Sequence, residues 1–174
     1  MQIKPLTSLI IEPTNTCNLR CTFCFVTDGM TRAEGFMDLD LFKKVIDDCP
    51  GLEHFCMHNG GEPLLHKDIF KMFDYAHAAG IKVIVMNTNA TLLTDKMIGK
   101  IIDSPLNVIR FSIDGSAETF KRIRGVELEK ITQNILKLKS EKEKRRPELS
   151  MGVVFTVEEE TQDDVDSYIT QWET

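Results

Sequence analysis

Residues 82–102 read Lys82-Val83-Ile84-Val85-Met86, then Asn87-Thr88-Asn89-Ala90-Thr91-Leu92-Leu93, then Thr94-Asp95-Lys96-Met97-Ile98-Gly99-Lys100-Ile101-Ile102. The first five residues are a β-branched run of strand length. The next seven begin with short polar side chains that favour a loop. Thr94 is a good N-cap, and Met97, Ile98, Ile101 and Ile102 recur on one face of the helix it opens. The stretch is therefore one strand–loop–helix unit.

The same unit repeats along the chain. An early strand at Leu9-Ile10-Ile11 is followed, after a long loop, by a helix near Leu39–Asp48 with Asp38 as its cap and Phe42, Val45, Ile46 and Cys49 on one face. A strand at His54–Met57 precedes a helix at Asp68–Ala79 that Gly80 stops. A strand at Val108–Ile113 precedes a helix near Leu128–Ser140, with Lys139 to Pro147 read as a charged helix end and connector. A last strand at Met151–Thr156 leads to a helix opening at Thr161, with Asp164 as an acidic capping-box partner and Val165, Tyr168, Ile169 and Trp172 inward. Strict alternation predicts an α/β fold with a parallel sheet and right-handed crossovers. An open doubly wound sheet and a partial (β/α) barrel both satisfy the pattern, and both put chemistry at the C-terminal ends of the strands.

Length and composition narrow the function. The chain has 174 residues, 42% hydrophobic and 28% charged, enough for one domain with its own core. Its formal net charge of −6 argues against a nucleic-acid or anionic-membrane surface. No apolar run approaches the length of about 20 residues that spans a bilayer, and no apolar signal core follows Met1. A soluble protein of a reducing compartment, the cytoplasm, is expected. Five cysteines in such a chain favour metal binding or catalysis over disulfides.

The unusual residues fall at the strand ends. After the first strand comes Cys17-Asn18-Leu19-Arg20-Cys21-Thr22-Phe23-Cys24, a C-x₃-C-x₂-C triplet. Three thiolates this close suit an iron–sulfur cluster with one iron left open, whereas a structural zinc site wants a fourth ligand. Asn59-Gly60-Gly61-Glu62-Pro63 follows the second strand, and Asn87-Thr88-Asn89 follows the third. Phe111-Ser112-Ile113-Asp114-Gly115 ends the fourth, with Arg124-Gly125 beyond it. Cys49, Cys56, Met57 and Met86 read as core-facing, and His54 and His58 as packing or capping residues.

In this order and on these strands, the motifs resemble the radical S-adenosylmethionine (radical SAM) superfamily. They resemble most the branch that holds peptide maturases with a cysteine-rich C-terminal domain and the molybdenum-cofactor enzyme. The resemblance implies a partial (β/α) TIM-like barrel, about five units of an expected six, with residues 1–174 as the core domain. It implies that Cys17, Cys21 and Cys24 hold a [4Fe–4S] cluster whose fourth iron is chelated by S-adenosyl-L-methionine. Gly60 and Gly61 would let backbone approach the SAM amine, and Glu62 would face it. Ser112 and Arg124 would take the SAM carboxylate, Asn59 and Asn87 the amine or ribose, and Phe23 the adenine. Reductive cleavage of SAM would yield a 5′-deoxyadenosyl radical that abstracts hydrogen from a peptide or small-molecule substrate. The electron donor would be a flavodoxin or ferredoxin. A non-catalytic zinc- or Fe–S-binding module is the competing expectation. The sixth unit and the auxiliary-cluster domain are missing from the pattern, so a partner chain or a further C-terminal segment is expected to complete the barrel.

Overall fold

The computed structural model describes residues 6–172. Five parallel strands, β1 (Ser8–Ile11), β2 (His54–Met57), β3 (Val83–Thr88), β4 (Val108–Ser112) and β5 (Ser150–Val154), lie side by side in chain order. Doubly wound sheets reverse their strand order at a switch point, and this sheet never does. The two alternatives open in the sequence are thereby separated: the sheet is the arc of a (β/α) barrel.

Seven helices accompany the strands among the described residues: α1 (Phe25–Asp28), α2 (Leu39–Asp47), α3 (Ile69–Ala78), α4 (Asp95–Asp103), α5 (Ala117–Arg124), α6 (Leu128–Arg145) and α7 (Val165–Trp172). Short 3₁₀ turns stand at Pro63–Leu65 and Gln162–Asp164. Asp38 caps α2 by accepting from the N–H groups of Asp40 and Leu41, and Thr94 caps α4 by accepting from Met97. The core lies between the sheet and these helices. Ile11, Met57, Met86, Ile109 and Met151 form one register row across all five strands on that side. Because side chains alternate along a strand, the other face carries Ile10, Cys56, Val85, Asn87, Arg110 and Ser112.

Four local expectations change. The charged stretch after Ser140 continues α6 to Arg145, because Glu, Lys and Arg are strong helix formers and Glu141 pairs with Lys144 at 3.1 Å. Pro147 then disfavours helix at Arg146. Helix α5 was not anticipated; Ser116 caps it and Gly125, at φ 71°, closes it. Thr161 and Asp164 do not form a capping box. Thr161 Oγ1 instead donates to Thr156 O at 2.8 Å, while Asp164 accepts from Ser116 N at 3.0 Å. Cys56, set between buried Phe55 and Met57, faces away from the core rather than into it, and Ile169 is exposed.

Phe55 and Phe111 are each 1% exposed in the core. Truncating either to Ala is expected to cost about 3–5 kcal/mol in urea unfolding followed by circular dichroism. Leu136→Ala, on an exposed position of α6, should stay within about 0.5 kcal/mol.

Candidate functional site

A cleft of about 150 Å³ opens at the C-terminal ends of the strands. Cys17, Cys21, Cys24, Asn59, Gly60, Gly61, Glu62, Asn87, Ser112 and Arg124 all line it, as do Leu19, His58, Thr88, Asn89 and Thr156. Of the residues expected to hold the cluster or SAM, Phe23 alone is absent from this lining. Its ring instead lies 5.9 Å from the Arg124 guanidinium carbon, within cation–π reach.

Glu62 anchors the floor. It is 2% exposed and immediately precedes the Pro63–Leu65 turn. Its Oε1 accepts from Leu64 N at 3.0 Å and from Thr88 Oγ1 at 2.8 Å, and its Oε2 accepts from Asn89 N at 2.8 Å. Burial pushes this carboxyl above its ordinary range, and the three hydrogen bonds oppose that shift. Gly61 precedes it because nothing larger fits. A Cβ there would strike the carbonyl oxygens of Thr14 and Thr16, which accept from Gly61 N at 3.1 Å and Glu62 N at 2.9 Å. The loop after β2 is thus stitched to the segment that leads into Cys17.

The cysteine loop is held from two sides. Cys17 Sγ accepts from Leu19 N at 3.5 Å and Asn89 Nδ2 at 3.8 Å, and Asn89 Nδ2 also reaches Asn18 Oδ1 at 3.0 Å. Cys21 Sγ accepts from Arg124 Nη1 at 3.9 Å. Burial pushes the thiols of Cys17 and Cys21 up; the Leu19 N–H opposes this at Cys17, and the Arg124 charge opposes it at Cys21. Among the described residues, no three His, Cys, Asp or Glu side chains are grouped as a single metal ion requires.

Arg124, at the end of α5, is 8% exposed and sits on Asp114, which is fully buried. Both Nε, at 2.7 Å, and Nη2 donate to Asp114 Oδ2. Asp114 Oδ1 accepts from Thr156 N at 2.7 Å, which ties the ends of β4 and β5 together. Next to this pair, Asn87 Oδ1 is buried without a hydrogen-bond partner. Ala90 holds a positive φ of 60°, costly for a residue with a Cβ and concentrated at functional loops. Asn134 braces it, donating to its carbonyl at 3.1 Å.

Sequence reasoning did not single out Thr14, Thr16, Asn18 or Glu12, whose Oε1 accepts from Gly60 N at 2.9 Å. Their common signal is position: all precede or interrupt the cysteine triplet. A larger cavity of about 460 Å³ lies elsewhere, at Phe36, Met37 and His66. The His66 ring nitrogens are already satisfied there by Met37 O and Asp68 N.

A profile of the Radical SAM superfamily matches residues 11–170. The chain is 33% identical, over 159 residues, to a tungsten-containing aldehyde ferredoxin oxidoreductase cofactor-modifying protein of Pyrococcus furiosus, covering 86% of this chain and 44% of that one. It is 33% identical, over 140 residues, to a GTP 3′,8-cyclase of Clostridium botulinum, covering 77% of this chain and 44% of the relative. The solved structure of native anSMEcpe with bound AdoMet and a peptide superposes with a TM-score of 0.71 at 22% identity, covering 96% of this chain and 48% of that one. The chain spans less than half the length of each.

Asp114→Ala is expected to cost about 3–5 kcal/mol in urea unfolding, because it strands a buried guanidinium. Pairing it with Arg124→Met should recover part of that loss; a double variant as unstable as the sum of the singles would show that the two side chains act independently.

Proposed function

Since the chain belongs to the radical SAM superfamily, we propose that residues 1–174 form the core of an enzyme that holds a [4Fe–4S] cluster on Cys17, Cys21 and Cys24 and S-adenosylmethionine beside it. The observation that carries this reading is the convergence of three free thiols, a buried carboxylate and an unpartnered Asn87 Oδ1 on one cleft at the strand ends. An orphaned buried acceptor has to be repaid by a ligand donor, and SAM brings an amine and ribose hydroxyls. When bound, the pair supplies one-electron chemistry, in which SAM is cleaved reductively at its sulfur–C5′ bond and a hydrogen atom is taken from the substrate.

The chain's own residues bind and orient. Cys17 and Cys21 must give up protons that burial retains, so metal loading is favoured as pH rises. Glu62 keeps lone-pair capacity beyond its three hydrogen bonds, which suits the N–H donors of the SAM amine. Arg124 has its Nε and Nη2 committed to Asp114, so it acts on the site as a fixed cation beside Cys21, with its remaining N–H edge for the SAM carboxylate. Ser112 offers a hydroxyl to the same group, and Asn59 lines the same cleft. The match covers 44% of the cofactor-modifying relative. A peptide or a small molecule is the proposed substrate class, and a flavodoxin or ferredoxin the electron donor.

Anaerobic reconstitution should yield a brown protein with about four irons and four sulfides per chain. Reduced with dithionite and mixed with SAM, it should release 5′-deoxyadenosine, read by chromatography. Cys21→Ala should abolish both iron content and cleavage, while Cys49→Ala should spare them. A colourless protein holding one zinc would overturn the reading.

A further inference from the structure

The mechanism above leaves Arg110 unused. In β4 it stands between Ile109 and Phe111, which are 0% and 1% exposed against the helices. Alternation therefore turns Arg110 to the opposite, inner face of the sheet. In register it lies between Asn87 of β3 and Gly152 of β5, and Ser112, two residues on, lines the cysteine cleft. The guanidinium thus stands one strand from the unpartnered Asn87 Oδ1.

Its charge is uncompensated. Arg110 is exposed, and among the described residues it makes no ion pair and no side-chain hydrogen bond. The titratable groups that feel it are His58 and Cys56. Burial first and the Arg110 charge second hold His58 below its ordinary range, so it adds no second cation near neutral pH. Burial raises the Cys56 thiol, which brings no negative charge either. The other guanidinium at the cleft, Arg124, is buried and has its Nε and Nη2 committed to Asp114. Arg110's own register row holds Asn87 and Gly152, and one row toward the N-terminal ends of the strands the inner face turns apolar, with Ile10, Cys56 and Val85 in register and Ile10 62% exposed. There is room beside the guanidinium, since a Cβ on Gly152 would meet nothing within 4 Å.

One free guanidinium beside an apolar row recognises a single negative charge on an apolar body. Its planar fork matches a carboxylate, and the lack of a second free cation disfavours a phosphate dianion. We infer that Arg110 anchors the carboxylate of an apolar-bodied ligand whose body lies along the Ile10, Cys56 and Val85 row on the inner face of the sheet. The anion site rests on the sheet geometry and not on the proposed function.

Equilibrium dialysis of radiolabelled octanoate against the whole chain tests it, with octyl phosphate and octanamide as competitors. Saturable octanoate binding is expected, weakened at least about 10-fold in Arg110→Gln and less in Arg110→Lys. Octanamide should compete poorly. Binding that is unsaturable in the wild type, or equal in a folded Arg110→Gln, would overturn the site, as would octanamide competing as well as octanoate. Stronger competition by octyl phosphate would overturn the carboxylate assignment. Iron content is read on the same preparations. Octanoate binding without iron supports the anion site and sinks the cofactor reading, and iron without octanoate binding does the reverse.

Discussion

The buried carboxylate of Glu62 is the constraint around which the rest of the site is arranged. An ionised group removed from water is costly unless its lone pairs are filled. Three donors satisfy most of them here, from the Pro63–Leu65 turn, from the end of β3 and from the loop beyond it. Meeting that requirement fixes the loop after β2 against the loop after β3. The adjoining Gly61 and Glu62 N–H groups then reach Thr14 and Thr16, which sets where the cysteine loop begins. One charge thereby positions three strand ends relative to one another, and the cysteines inherit that geometry.

A second buried charge does the same work on the far side. Asp114 accepts from Arg124 on α5 and from Thr156 beyond β5, so the ends of β4 and β5 and the helix between them share one anchor. Phe23 and Phe120 flank the guanidinium, with ring centres 5.9 and 5.7 Å from it. These contacts dry the pair and strengthen its attraction. The net charge of −6 is a property of the surface; the cleft itself is governed by these few internal charges.

Much of this was legible before any coordinates. Apolar periodicity located all five strands and the principal helices, because burial on one face forces that pattern. Strand order was not legible, since periodicity carries no information on which strands pair. Helix α5 escaped because half of Ala117–Arg124 is charged, its inward apolar residues being only Phe120 and Ile123. The cysteine triplet and Gly60-Gly61-Glu62 stood out by residue type and spacing. Thr14 and Thr16 carry comparable structural weight through backbone contacts, which no residue type announces. Cys56 was misjudged for a simpler reason: in a strand whose neighbours are both buried, alternation sends the residue between them to the other face.

The electrostatics of the cleft also constrain its state before metal is bound. Glu62 and Asp114 are buried carboxylates, and Arg124, the buried guanidinium beside them, is already spent on Asp114. Three thiolates added to that enclosure would stack negative charge in a dry volume that Arg124 offsets only in part. Burial resolves the conflict by keeping Cys17 and Cys21 protonated, and the N–H groups of Leu19, Asn89 and Arg124 are already aimed at their sulfurs. Those donors favour the thiolate and wait on a cation to complete the balance. On the proposed function, Cys17 and Cys21 shed their protons as the metal arrives.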